Sequence, residues 1–367
     1  MQARAIATFR IVTDVVILDE QMRFEDQEWG EFLDRMRVCY ANVPGPRRMA
    51  QVKKDYKMLE TLKLGHPTCK HDASTFQDKV LITPRNETRT AANETLARDY
   101  AHRHGLVLIQ YECGEDKVKW GSRNWRSAGA VSPALATLLR RAHNKQCPVP
   151  KVFTFATGLP HQFTTNGAVP LGWANGIPGV TASLVLDARE EPYSGSGTWH
   201  LKYPPHYVIF KPTSPRHGTL PGLPEGTFAV KPEVPSTFEY YIPADLRTKG
   251  MPSKIRVKRQ ANFPLTLALA ISDYTGQGCT FREGALLDML PPGRGNFTDR
   301  NVYIMLSRLP SRARTAIMRL FPIEFLIKLA RKGVDRDLAH DHARFERLAR
   351  DTERRFHEAE RAATSED

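Results

Sequence analysis

Several groups of residues in this chain have types and spacings that could do chemistry. Val15-Val16-Ile17-Leu18 runs into Asp19-Glu20, four apolar residues ending in two carboxylates, a pattern that can hold magnesium and polarise water. The phosphate cradle that should accompany such a pair is missing, because GxxxxGK[ST] occurs nowhere in the sequence. That loop supplies the backbone N–H groups and the lysine that grip β- and γ-phosphates, so a nucleotide engine of that class cannot run on these residues alone. His66, Cys69 and His71 form a compact group of zinc-ligand types, yet no fourth ligand stands at a familiar spacing. Lys254, Arg256 and Lys258 alternate with Ile255 and Val257, so a strand here would show three cations on one face. Such a ladder suits either a nucleic-acid backbone or a solvated strand edge that deters aggregation. No Ser-His-Asp or dinucleotide-binding signature is present.

Longer stretches carry a more specific signal. Gln21-Met22-Arg23 is followed by an acidic stretch and an amphipathic segment, and far downstream comes Asn262-Phe263-Pro264-Leu265-Thr266-Leu267-Ala268. That run continues into Ala270-Ile271-Ser272-Asp273-Tyr274-Thr275-Gly276-Gln277-Gly278-Cys279-Thr280-Phe281, and then into Asn301-Val302-Tyr303-Ile304-Met305-Leu306-Ser307-Arg308. In this order and spacing the chain resembles the C-terminal half of superfamily 1 DNA helicases of the Pif and Helitron type. Ile82-Thr83-Pro84-Arg85-Asn86 with Asn93 resembles a strand-to-loop element of that family's second RecA-like domain. Asn166, Gly172, Asn175-Gly176 and Gly179 resemble the turn that opens its inserted SH3-like β module.

The resemblance covers most of residues 11–320 and implies a set of roles. Arg23 and Arg308 would be arginines that meet charge developing on a γ-phosphate. Gln277, Gly278 and Thr280 would form the nucleotide-sensing loop, while Thr83, Asn86, Ser272, Tyr274, Lys254, Arg256 and Lys258 would face nucleic acid. The family often has Lys-Ser where this chain has Thr275-Gly276, which removes one phosphate-compatible charge. ATP and magnesium are implied only for a complete protein with an N-terminal RecA-like half, and none is expected for this chain alone. Single-stranded DNA is the implied partner, 5′-to-3′ the implied polarity and the nucleus the implied location. An ATP-independent nucleic-acid-binding module and a degenerate transposon-derived relic are the alternatives.

The elements that must position these residues read as α/β. Residues 11–18 are β-branched and apolar, as a buried strand would be, and Trp29, Phe32, Leu33 and Met36 have helical spacing. Helices are expected near Gln51–Leu62, over Thr88–His102 and near Pro133–Ala142, and strands at Val80–Ile82 and Gly105–Gln110. From Thr164 to Ile255 short β-like runs (Ala182–Leu186, Tyr207–Phe210 and Phe238–Ile242) alternate with Gly and Pro clusters, the texture of an inserted β module. Phe263–Ile271 has a helix-compatible apolar pattern, Asn301–Leu306 reads as a buried strand, and a charged helix should begin near Leu338. The expected division is a partial RecA-like domain over 1–160 and 259–322, a β module over 164–258 and a helical tail over 323–367.

Bulk composition is consistent with this. With 41% apolar residues the 367-residue chain can bury a core. Its net charge of +13 favours a polyanionic partner. Five irregularly spaced cysteines argue against a disulfide framework and for a reducing compartment, with Cys113 and Cys147 expected to pack as small hydrophobes. No run is apolar enough for a membrane span and the N-terminus lacks a signal peptide's apolar core, so an intracellular chain is expected.

Overall fold

The computed structural model describes residues 11–18, 22–121, 124–141, 147–215, 218–247, 250–292 and 297–364, with 362–364 described by backbone only. The acidic pair Asp19-Glu20 and Gln21 therefore lie outside the described residues. The chain divides into two compact units, Met1–Asp78 with Gly276–Asp367, and Lys79–Thr275.

The first unit begins with α1 (Gln27–Arg37) and α2 (Gly45–Thr61). Asp26 caps α1 by accepting the Trp29 N–H, and Trp29, Phe32, Leu33 and Met36 form its buried stripe, as their spacing requires. Residues 11–18 are not the expected core strand. They pair with no strand among the described residues, and Ile11, Val16 and Leu18 are exposed, Leu18 by 89%. The backbone is satisfied instead by side chains of the C-terminal helix: Val15 N–H donates to Thr352 Oγ1 at 3.0 Å and Arg344 donates to the Val12 carbonyl at 2.8 Å. Strand composition without a strand neighbour does not make a sheet.

The second unit opens with β1 (Val80–Thr83), α3 (Asn86–Arg103) and β2 (Leu108–Glu112), close to expectation. There follow β3 (Lys117–Lys119), β4 (Arg126–Ser127), α4 (Pro133–Arg140), β5 (Val152–Phe155), β6 (Pro160–Phe163) and β7 (Pro178–Val185). The remaining strands are β8 (Thr198–His200), β9 (Tyr207–Pro212), β10 (Phe228–Val230), β11 (Phe238–Tyr241), β12 (Lys254–Lys258), β13 (Leu265–Leu267) and β14 (Ala270–Ser272). The helix-compatible run at Phe263–Ile271 is thus two short strands. Leu265 and Leu267 pair with Phe163 and His161 of β6, and Ala270 pairs with Leu81 of β1, so sheet partners override the local pattern.

Three sheets and one parallel pair organise this unit. The antiparallel order β10-β9-β7-β6-β13 encloses an aromatic core of Phe153, Phe155, Phe163, Phe210, Phe228 and Phe263. The turn before β7 is closed by Asn166 Oδ1, which accepts the Asn175 N–H at 2.8 Å. Gly179 must be glycine, because a Cβ there would lie 2.3 Å from the Lys211 carbonyl oxygen. A second sheet, β11-β12-β3-β4, packs against α4, with Cys147 in its core, while Cys113 is buried beside Tyr111. The third, β5-β2-β8, is small and mixed. The parallel pair is β1 with β14.

His161 sits at the centre of β6, 1% exposed, with Nδ1 3.0 Å from the Leu159 carbonyl and Nε2 2.8 Å from the Thr154 carbonyl. Two acceptors would favour the imidazolium, but burial outweighs them and pulls the pKa down to about 4. Unfolded, the group titrates near 6.5, so its stabilisation is complete above that pH and is lost as pH falls toward 4. We expect His161→Gln to flatten the loss of urea stability over this window by about 3 kcal/mol. An unchanged pH profile would show that the imidazole is charged in the fold.

The first unit is completed by β15 (Ala285–Asp288), α5 (Asp299–Leu306), β16 (Thr315–Arg319), α6 (Ile323–Lys332) and α7 (Arg336–Thr364). β15 and β16 run parallel, and Arg319 grips the fully buried Asp288 with two bonds of 2.8 and 2.6 Å. Asn301–Leu306 is helix, not strand. Thr298 and Asn301 form a reciprocal capping box, and Val302, Met305 and Leu306 recur at helical spacing on the buried face. The charged C-terminal helix forms as expected. No helix of the described residues is long and apolar enough to cross a membrane.

Candidate functional site

In the first unit the fold brings together residues almost three hundred positions apart. Arg23 Nη1 donates to the Ser307 carbonyl at 3.4 Å, placing its guanidinium next to Arg308. The segment is held there by several bonds: Glu25 N–H to the Pro310 carbonyl at 3.0 Å, Trp29 Nε1–H to the Leu309 carbonyl at 3.1 Å, and Arg312 Nε to Asp26 at 2.7 Å, with Glu28 also on Arg312. Burial would push Asp26 up, but Arg312 and the Trp29 N–H outweigh it and hold its carboxyl below the usual range.

Arg308 is largely buried, 9% exposed. Its Nε donates to the Ile304 carbonyl at 3.1 Å, Nη1 to the Cys279 carbonyl at 3.4 Å and Nη2 to Ser307 Oγ at 2.9 Å. None of these partners is a carboxylate. Burial and then the neighbouring positive charge of Arg23 pull Arg308 below its ordinary pKa, so its charge is only partly compensated. The Cys279 contact, with Phe281 N–H on the Arg308 carbonyl at 2.9 Å, ties the arginine to the loop of Gln277, Gly278 and Thr280. All three loop residues are exposed, and Gly278 adopts φ +87°, a left-handed conformation that favours glycine.

In the second unit, Thr83 and Ser272 are register partners at the carboxyl ends of the parallel strands β1 and β14, where functional groups of such sheets collect. Asn93 locks that end, its amide exchanging bonds of 2.8 and 2.7 Å with the Ala270 peptide. Thr83 itself is fully buried and its hydroxyl accepts the Arg85 N–H, so a strand could reach the exposed Asn86 but not Thr83. Ser272 Oγ lies 2.8 Å from Thr275 Oγ1, so the threonine standing in place of the family's lysine closes a turn. Tyr274 is 61% exposed and is not a core aromatic.

The cation ladder is real. Along β12 Lys254, Arg256 and Lys258 are exposed while Ile255 and Val257 are buried. Sequence reading missed its extension: Arg256 is paired directly with Lys119, and Lys258 with Lys117, on β3. Residues opposite each other in register share a face, so five cations gather on one side of this sheet, two pairs of them like-charged and mutually repulsive. Only the Lys117–Val118–Lys119 alternation hinted at this. One member, Lys254, is also paired with Glu239.

His66 bonds to Thr68 at 2.9 Å, and among the described residues no three His, Cys, Asp or Glu side chains gather to hold a metal ion.

Comparison with known structures shows where this architecture recurs. A crystal structure of Bacteroides Pif1 bound to single-stranded DNA matches over 94% of this chain and 62% of its own, at TM-score 0.51 and 15% identity. A crystal structure of Pif1 helicase from Candida albicans matches over 89% of this chain and 59% of its own, at TM-score 0.49 and 18% identity. The chain thus spans about three fifths of the length of these proteins and, by the first match, has the α/β RecA-like fold of part of a Pif1 helicase. No protein-family model and no curated protein matches it.

Proposed function

We propose that this chain is the second RecA-like half, with its inserted β module, of an ATP-dependent 5′-to-3′ DNA helicase, the polarity resting on the family resemblance. The observation that carries the reading is the convergence of Arg23 and Arg308 beside the 277–280 loop. A nucleotide held by a partner domain supplies the phosphoryl group. Arg23 and Arg308 would meet the charge that develops on it, and the exposed Gln277, Gly278 and Thr280 would report its presence to the strand side. Two guanidiniums drawn together without a carboxylate on Arg308 fit an anion better than they fit each other.

Arginines of this kind are silent until a nucleotide is positioned, so strand binding is the activity that this chain can be asked for by itself. Asn86, Ser272 and Tyr274 would meet the strand, and the face of Lys254, Arg256, Lys258, Lys117 and Lys119 would track phosphates. Each phosphate contact on a single strand should contribute a slope of about −0.7 to the dependence of log K on log salt. Lys117→Gln with Lys119→Gln is expected to flatten the measured slope by about 1.4. The same double substitution should leave the melting temperature unchanged or higher, since it relieves cross-strand repulsion. An unaltered salt slope for oligo-dT would remove this face from the DNA path.

A further inference from the structure

The second unit contains a cavity of about 370 Å³ whose cationic lining the helicase reading does not use. One wall is α3, where Arg89, Asn93, Glu94 and Arg98 recur at helical spacing; the others are the C-terminal end of α4 and residues of β2, β5, β6, β8 and β13. Its charge is lopsided. Arg89, Arg98, Arg140, Arg141 and Lys151 line it against a single acid, Glu94. Arg140 is paired with Glu112 at 3.1 Å, and Lys151 donates to the Gly114 carbonyl at 2.6 Å. His161, also in the wall, has a carbonyl oxygen within hydrogen-bond distance of each ring nitrogen. Among the described residues the guanidiniums of Arg89, Arg98 and Arg141 have no such partner.

Arg89 is the anomaly. Its side chain is half-buried, and burial pulls its pKa down with no carboxylate or carbonyl pulling back. A guanidinium does not escape this cost by losing its proton, so it stays a cation short of both water and anion. Such a group is normally neutralised by a partner, and none of the described residues supplies one. Three guanidiniums around a hollow lined also by Thr90, Thr154 and Thr198 present forked donors and hydroxyls, the recognition chemistry of phosphate oxygens. The volume is at the lower end of the range of about 300–1,000 Å³ for small-ligand sites, and it is too small for a folded partner.

We propose that this cavity binds a phosphate group, with Arg89 and Arg98 as anchors and Arg141 at its edge. A free phosphorylated small molecule and a nucleic-acid strand both present such a group, and the chemistry of capture is the same. The cavity's lining includes neither Arg23, Arg308 nor the cations of the β12–β3 face, so the proposal does not depend on the helicase reading.

Titration calorimetry of the whole chain with inorganic pyrophosphate tests the proposal. A saturable event is expected that Arg89→Gln with Arg98→Gln weakens about tenfold or more, while Lys117→Gln with Lys119→Gln leaves it in place. Arg98→Gln alone, at an exposed side chain, serves if the double variant fails to fold. Competition by oligo-dT for the Arg89- and Arg98-dependent event identifies a strand as the source; pyrophosphate binding that persists under saturating oligo-dT identifies a free molecule. Pyrophosphate binding that is absent, or equal in the wild type and the variants, overturns the proposal.

Discussion

Joined to a P-loop domain that positions ATP and magnesium, the chain should lose about 10³ to 10⁵ in turnover when Arg308 is replaced by Ala, with KM little changed. The charge on a transferring phosphoryl group grows only in the transition state, so a guanidinium aimed at it lowers the barrier without tightening ground-state binding. In that proposed role Arg308 would act from a fixed orientation, set by the carbonyls of Ile304 and Cys279 and by Ser307 Oγ. Lysine at this position cannot reproduce that fork, so Arg308→Lys should recover little. Arg23→Ala should be damaging in the same assay, and the double variant far less than the product of the two, because both act on one phosphate. The chain without the added domain should show no DNA-stimulated hydrolysis. Turnover by the chain alone that Arg308→Ala abolishes, or turnover of the joined protein indifferent to it, would sink the assignment.

What could be read from the sequence was what local pattern specifies. The buried stripe of α1, the strand β1 and the exposed-to-buried alternation of β12 each follow from side-chain periodicity, and the ordered motifs grouped Arg23 with Arg308, which the fold sets side by side. Pattern misled where composition and context conflict. Residues 11–18 and 301–306 are both β-branched or bulky, yet the first lies against helix side chains and the second is a helix started by the Thr298–Asn301 box. What was illegible is long-range register. Lys117 and Lys119 matter only because β3 lies beside β12, and Arg89 is unusual only because α3 covers a hollow lined by strands from elsewhere in the unit. Neither fact has a local signature.

The same dependence on long-range register sets the largest stability effect expected here. Arg259 has a fully buried side chain and holds Asp116, itself 3% exposed, through Nε and Nη2 at 3.0 and 2.8 Å. It also donates to the Val149 carbonyl at 3.1 Å and the Leu139 carbonyl at 2.7 Å, so one guanidinium joins the approach to β3, the end of α4, the segment before β5 and the exit of β12. Replacing Arg259 with Ala should cost about 3–5 kcal/mol, because Asp116 is left as a buried charge and two carbonyls lose their donor. Lys151 Nζ, 3.9 Å from Asp116 and already donating to the Gly114 carbonyl, offsets only part of that charge. Against a typical domain stability of about 5–15 kcal/mol, that loss should open the β11-β12-β3-β4 sheet locally. Hydrogen exchange should therefore accelerate in β3 and β12, and oligo-dT affinity should fall although Arg259 touches no strand. Arg259→Met combined with Asp116→Leu removes both charges together and should restore most of the protection, as replacement of a buried pair by apolar side chains often does. If the single Arg259→Ala variant exchanges like the wild type, the pair is not what holds this sheet to its helix, and the cationic face must be supported by the apolar core of Val118, Leu135, Leu139 and Val257 alone.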